Sequence, residues 1–209
     1  MEISGLYFVT DSRLSKQGIL QDVKKVIEAG CRIVQYREKE KSLEEKTAEA
    51  KELAVLCRGK GVLFIMNNDV EIAVAVEADG VHLGQEDMPL EKAREVLGES
   101  KIIGITVHNV KEALEAEKHG ADYVSVSPIF HTDTKKDAGK PAGIELIEEA
   151  KERVKLPIVA IGGINEGNVQ EVIKAGADSV AVISAIACSE NPKEAAQRII
   201  RKIAKVKEN

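Results

Sequence analysis

Aromatic side chains are scarce in this chain. They make up 3% of its 209 residues, and tryptophan is absent. A surface that stacks nucleobases needs such rings at intervals, so a single-strand nucleic-acid binder is disfavoured. A net charge of −5 argues the same way against general nucleic-acid binding, while leaving room for a local basic pocket. Long hydrophobic runs are also missing, and no uninterrupted apolar stretch approaches the ~20 residues of a membrane span. The first residues, Met1 to Gly5, lack the basic region and long apolar run of an export signal. The three cysteines, Cys31, Cys57 and Cys188, are odd in number, widely separated and set in apolar surroundings. They form no C-x-x-C pair, so the expectation is of reduced, buried or half-buried thiols. No His/Cys/Asp grouping has the spacing of a zinc site, and no serine sits in a nucleophile-elbow context. These absences together point to a cytoplasmic protein with no membrane partner.

What is present is a rhythm. Hydrophobic residues make up 44% of the chain and charged ones 31%, a balance that suits one substantial core and excludes a disordered or fibrous protein. Short apolar runs recur at Leu6–Val9, Ile33–Tyr36, Val62–Met66, Gly80–Leu83, Ile102–Ile105, Tyr123–Val126, Ile158–Ile161 and Ser179–Ile183. Nearly continuous runs of this kind suit parallel strands covered on both faces. Charged segments with helical spacing lie between most of them: Leu43–Cys57, Val70–Val76, Leu90–Leu97, Val110–Lys118, Ile144–Val154 and Val169–Lys174. A turn phrase recurs where helix gives way to strand, as Glu28-Ala29-Gly30-Cys31, Glu77-Ala78-Asp79-Gly80, His119-Gly120-Ala121-Asp122 and Lys174-Ala175-Gly176-Ala177-Asp178. Glycine suits the left-handed end of a helix at such places. Eight strands in one chain of this length give about 26 residues per unit, which predicts a single-domain (β/α)8 TIM barrel over residues 1–209. A doubly wound open sheet is the rival. No helix face carries a clear apolar surplus, so a homo-oligomer stays open.

In a barrel, chemistry gathers at the C-terminal ends of the strands. Those positions are polar here. The second strand runs into Gln35-x-Arg37-x-Lys39, whose alternate side chains share one side of an extended segment. One amide and two cations would converge at that strand end and would suit an anion, phosphate first. The third strand ends in Asn67-Asn68-Asp69, and the fourth leads to Asp87. Two carboxylates facing one cavity repel unless a proton or cation lies between them, and beside a diphosphate Mg2+ would resolve the balance. Each Asp also precedes a helical segment, where a plain N-cap is the alternative. Gly162-Gly163, before Ile164-Asn165 and a helix, resembles a phosphate cradle that Ile183-Ser184 could complete, though an ordinary tight turn has the same sequence. The long loop from Thr132 through Thr134, Lys135 and Lys136 to Pro141 reads as a lid or as a solvated surface loop. Among the histidines, His82 at a strand end could be structural. His108 and His131 lie near the expected mouth, and His119 ends a helix on the surface.

These motifs, taken in order, resemble the thiamine-phosphate synthase family from Leu6-Tyr7-Phe8-Val9-Thr10-Asp11 to near Asn191-Pro192. The match runs through Gln35-Tyr36-Arg37-Glu38-Lys39, Asn68-Asp69, Gly80-Val81-His82-Leu83-Gly84-Gln85-Glu86-Asp87, Thr132-Asp133-Thr134-Lys135, Ile161-Gly162-Gly163-Ile164 and Val182-Ile183-Ser184. The resemblance implies a (β/α)8 barrel that joins hydroxymethylpyrimidine diphosphate to a thiazole phosphate. It implies that Gln35, Arg37, Lys39, Asn68 and Lys135 surround the pyrimidine diphosphate, with Arg37, Lys39 and Lys135 catalytic. It further implies that Asp69 and Asp87 hold Mg2+, and that Thr132, Thr134, Gly163, Ile183 and Ser184 hold the thiazole phosphate. Thr106 stands where many members carry Ser; it keeps the hydroxyl for pyrimidine contact and adds a methyl. Two other readings stay in view: a thiazole tautomerase-like isomerase, which needs no Mg-diphosphate site, and a non-catalytic phosphate-ligand sensor. Within the opening segment, Tyr36 and Glu38 fall on the other face and are expected to serve packing and solvation.

Overall fold

A computed structural model describes residues 2–134 and 139–208. Eight parallel strands close into a barrel in sequence order: β1 (Gly5–Val9), β2 (Ile33–Tyr36), β3 (Leu63–Asn67), β4 (Gly80–Leu83), β5 (Ile102–Val107), β6 (Tyr123–Val126), β7 (Ile158–Ile161) and β8 (Ser179–Val182). Closure comes from β1 lying against β8, with Leu6 opposite Val180. The predicted apolar runs match these strands within a residue or two. Val62 is not in β3, because its N–H closes the preceding helix on the carbonyl of Cys57.

The helices cover the barrel: α1 (Ile19–Glu28), α2 (Leu43–Lys60), α3 (Val70–Ala75), α4 (Leu90–Leu97), α5 (Val110–Lys118), α6 (Glu145–Arg153), α7 (Val169–Lys174), α8 (Ser184–Ala187) and α9 (Pro192–Lys207). Helix α2 opens with a capping box, in which Ser42 and Glu45 satisfy each other's backbone N–H groups, and closes on Gly61 in the left-handed region. The apolar residues divide into two sets. Side chains such as Phe8, Val34 and Tyr36 pack between strands and helices, while Tyr7, Ile33, Ile65, Tyr123 and Val159 fill the barrel interior. Gly104 on β5 makes room for Tyr123, since a Cβ there would collide with the phenol ring.

The recurring turn phrase has a second function beyond glycine geometry. Gly30, Gly120 and Gly176 take positive φ as expected, but in the second copy Glu77 does so (φ 55°) and Gly80 lies within β4. Gly80 is required there because a Cβ would strike the Ile102 carbonyl. The aspartates of the phrase bind the preceding strand. Asp79, Asp122 and Asp178 accept the N–H of Phe64, Ile103 and Ile158 at 2.8, 2.7 and 2.8 Å. Each returns its own backbone N–H to the carbonyl of that same residue. This repeated clamp stitches the N-terminal ends of neighbouring strands, the end of such barrels that serves stability.

Candidate functional site

A cavity opens at the C-terminal mouth. Gln35, Arg37 and Lys39 line one side of it, and Thr132, Thr134, Gly163, Ile183 and Ser184 line another. Asn68, Asp87 and Thr106 also face it. Eleven of the thirteen residues expected at the site therefore meet in one space. Asp69 is not among the lining residues, and Lys135 lies outside the described residues.

The strand-end cations differ in their surroundings. Arg37 is buried, and its guanidinium meets the buried Asp11 carboxylate at 2.6 Å. Asp11 also binds Arg13 at 2.8 Å, through side chain and backbone. Burial alone would raise the Asp11 carboxyl, but the hydrogen bonds from Arg13 and the charges of Arg37 and Arg13 outweigh it and hold the group below its ordinary value. Lys39 is exposed and makes no ion pair among the described residues, so its ammonium is available to a ligand. Between them Glu38 is buried rather than solvated, which corrects the expectation for that face. It accepts the Glu40 N–H at 2.7 Å and so ties down the turn that carries Lys39. Tyr36 is fully buried and donates to Glu49 at 2.7 Å.

The two carboxylates at the ends of β3 and β4 are each compensated within the chain. Asp69 precedes α3 without capping it by its side chain and instead meets Lys46 of α2 at 2.9 Å. Asp87 accepts the Gly84 N–H at 2.6 Å and the Asn68 amide at 2.9 Å. Asn68 adopts a left-handed backbone (φ 66°), a conformation Asn tolerates better than most residues, and this aims its side chain at Asp87. A cation between the two carboxylates is thus not needed to hold the fold. Among the described residues, no group of three or more His, Cys, Asp or Glu side chains forms a closed metal site. Mg2+ is usually bound through one or two carboxylates together with substrate phosphates. The oxygen donors of Asp69 and Asp87, in the segments that follow the adjacent strands β3 and β4, are of the kind such an ion takes.

The Gly162-Gly163 turn is more than a generic turn. Both residues take positive φ, and a Cβ on Gly162 would lie 2.6 Å from the Pro128 Cβ. A Cβ on Gly163 would strike the His131 carbonyl. The two glycines let the β7 loop lie directly against the β6 loop that carries Thr132 and Thr134.

Several lining residues were not anticipated from sequence. The cavity floor is a hydrogen-bonded run of buried polar groups. Asn67 donates to Gln35 at 3.1 Å, and Gln35 donates to the Tyr7 hydroxyl at 2.9 Å. The Tyr7 and Tyr123 hydroxyls share a bond at 2.9 Å. His82 meets Tyr123 through Nδ1 at 2.9 Å and Thr106 through Nε2 at 2.8 Å, and its ring stacks on that of Tyr123. Burial raises both phenols, and each stays protonated at neutral pH. The available signal was the period of two: Tyr7, Tyr123 and Ser125 interrupt apolar strands on the inward side. His108 lies at the mouth, with Nδ1 2.7 Å from the Ser127 carbonyl. His131 and His119 are exposed, beside Asp133 and Glu91.

Of the thiols, Cys31 and Cys57 are buried as expected, but Cys188 is exposed. It follows the short helix α8, where the chain crosses the surface before α9. No helix among the described residues is long and apolar enough to cross a membrane.

Comparison with known proteins places the chain in a family. The family model described as thiamine monophosphate synthase matches residues 6–186. A thiamine-phosphate synthase of Methanosarcina mazei is 53% identical, over 96% of this chain and 83% of that protein. One from Chloroflexus aurantiacus is 46% identical, over 93% and 90%. Among solved structures, a thiamine phosphate pyrophosphorylase from Pyrococcus furiosus superposes with a TM-score of 0.90 at 40% identity, covering 97% of this chain and 96% of that one. With the family model, these relatives and the superposed barrel in agreement over nearly the whole chain, the protein belongs to the thiamine monophosphate synthase family.

Proposed function

We propose that the protein condenses 4-amino-2-methyl-5-(diphosphooxymethyl)pyrimidine with a thiazole phosphate to give thiamine phosphate and diphosphate. The observation that carries this reading is the division of one cavity into two anion-receptive sides across a floor of hydrogen-bonding and aromatic groups. Arg37 and Lys39 face the leaving diphosphate, and Asn68 and Gln35 orient the molecule that carries it. Lys135, which lies outside the described residues, is the third cation that the family resemblance assigns to this anion. The Thr132, Thr134, Gly163, Ile183 and Ser184 side receives the thiazole phosphate, and Thr106 contacts the pyrimidine.

The bond between the methylene carbon and the diphosphate oxygen breaks, and its electron pair leaves with the diphosphate. The aminopyrimidine bears the resulting positive charge until the thiazole nitrogen forms the new C–N bond. Fixed cations around the departing oxygen stabilise charge as it develops, and anchoring both phosphates holds the reacting atoms at attack distance. No protein nucleophile is required. Asp87 and Asp69 would hold Mg2+, Asp69 exchanging or sharing its Lys46 contact. The ion, when bound, would offset charge on the diphosphate oxygens.

The test is direct. Purified protein with both substrates and Mg2+ should yield thiamine phosphate and diphosphate in equal amounts. Folded protein that forms neither above background would refute the reading. Isomerisation of a thiazole phosphate without condensation would replace it with the tautomerase-like one.

A further inference from the structure

The floor of the cavity carries a continuous run of hydrogen bonds built from six consecutive strands. It runs Asn67 (β3), Gln35 (β2), Tyr7 (β1), Tyr123 (β6), His82 (β4) and Thr106 (β5), with every link between 2.8 and 3.1 Å. Four of its members, Gln35, Tyr7, Tyr123 and His82, are buried. Under such conditions an unmet donor is expensive, so the protons settle where each finds an acceptor.

That requirement gives the chain a direction. The Gln35 amide nitrogen can only donate, so the Tyr7 oxygen accepts from it. If Tyr123 also donated to Tyr7, the Tyr7 proton would have no acceptor among the described residues. Tyr7 therefore donates to Tyr123, and Tyr123 donates to His82 Nδ1. The imidazole must then be neutral with its proton on Nε2, and it donates to the Thr106 oxygen. The Thr106 hydroxyl proton is left to turn into the cavity that its side chain lines. Reversing every link would need both amides, Gln35 and Asn67, to turn over together.

We propose that this chain fixes His82 as the neutral Nε2–H tautomer and thereby makes Thr106 a hydrogen-bond donor to a ring nitrogen of the aminopyrimidine. Tyr7, Tyr123 and His82 are then positioning residues. They set the polarity with which the barrel floor reads the heteroaromatic ring, and so favour rings that present an acceptor at that edge. The ligand half of this statement rests on the proposed condensation, whereas the tautomer half does not.

The experiment is nitrogen NMR on ligand-free protein with 15N-labelled histidine, where His82→Gln identifies the resonance among the four histidines. Near neutral pH the His82 signal should show a pyridine-type Nδ1 and a pyrrole-type Nε2. Gln35→Glu supplies an ionised acceptor in place of the donor, at unchanged shape and three hydrogen bonds away. It should invert the tautomer to Nδ1–H, and the inversion should vanish when Tyr123→Phe is added. An Nδ1–H tautomer or an imidazolium in the unaltered protein would overturn the proposal. So would Gln35→Glu leaving His82 unchanged at a pH where the introduced carboxyl is seen to be ionised. In the condensation assay Tyr123→Phe should raise KM for the pyrimidine diphosphate about tenfold, the size of one lost hydrogen bond, with kcat little moved. A protein that gave the expected tautomer yet no condensation would defeat the function while leaving the chain intact.

Discussion

Replacing Asp11 by Asn tests how the strand-end cation is held. The Arg37 guanidinium lies 2.6 Å from Asp11, and the two side chains are 10% and 2% exposed, so the pair is largely desolvated. Removing one partner of a buried ion pair costs about 3–5 kcal/mol. Asn preserves the volume and one acceptor, and Arg37 borders an open cavity, so the expected loss is nearer ~2–3 kcal/mol. For a domain of this size that corresponds to roughly 5–10 °C in Tm. Arg13, at 43% exposure, adds little to the stability term. The functional effect follows from position rather than charge: a guanidinium free to swing from the leaving group should lower kcat/KM by about tenfold to a hundredfold. Thermal unfolding and steady-state kinetics measure the two effects separately. The pH dependence supplies a control with a definite sign. The folded Asp11 carboxyl titrates below its ordinary value, so its stabilisation is fully present above the unfolded pKa and is lost as pH falls through the depressed folded one. The gap in stability between the two proteins should therefore hold at neutral pH and close only in acid. A variant with Tm within about 1 °C of the parent and unchanged kcat/KM would refute the role assigned to the Asp11–Arg37 contact.

Other expectations follow from single contacts. Gly163→Ala places a Cβ against the His131 carbonyl and 2.8 Å from the Phe130 Cβ, at a backbone φ of 64°. It should raise KM for the thiazole phosphate with little change for the pyrimidine diphosphate and destabilise the fold by ~1–3 kcal/mol, read by kinetics and denaturation. Asp87→Ala should sharply reduce Mg2+-dependent turnover while the fold persists, seen as a loss of activity with unchanged circular dichroism; an unchanged Mg2+-dependent rate would count against Asp87 as a ligand. Only Cys188 should react quickly with a thiol reagent in the native protein. Burial pushes the Cys31 thiol up to about 11 and the Cys57 thiol up to about 12, and both are closed to solvent, so they should react only on unfolding.

Much of the site was legible because the barrel converts sequence period into position. On β2, Ile33 and Gln35 face inward and Val34 and Tyr36 outward, so the alternation at Gln35, Arg37 and Lys39 led straight to one side of the cavity. Glu38 falls on the other face as the alternation requires, but it is buried rather than solvated. It lies past the end of β2, where the chain turns, and its carboxylate folds back onto the Glu40 N–H instead of facing water. Asp69 likewise sits one residue beyond the left-handed Asn68, which redirects the chain and turns Asp69 toward Lys46. Alternation carried past the end of β2 to Arg37 and Lys39, but it does not say what a side chain on the other face meets, and it was lost after the left-handed Asn68.

Amphipathic period, turn chemistry and the polar strand ends are local properties. By themselves they pointed to eight parallel strands, with an open sheet as rival to the barrel, and to the strand ends at which chemistry would sit; the assignment of Thr106, Thr132 and Thr134 to the cavity came with the family resemblance. What only the tertiary structure decided are the pairings between residues distant in the chain: Asp11 with Arg37, Lys46 with Asp69, and Tyr7 with Tyr123 across 116 positions. Closing the barrel brings inward side chains of six strands within hydrogen-bond reach of one another. No local pattern along the chain encodes which of them will touch.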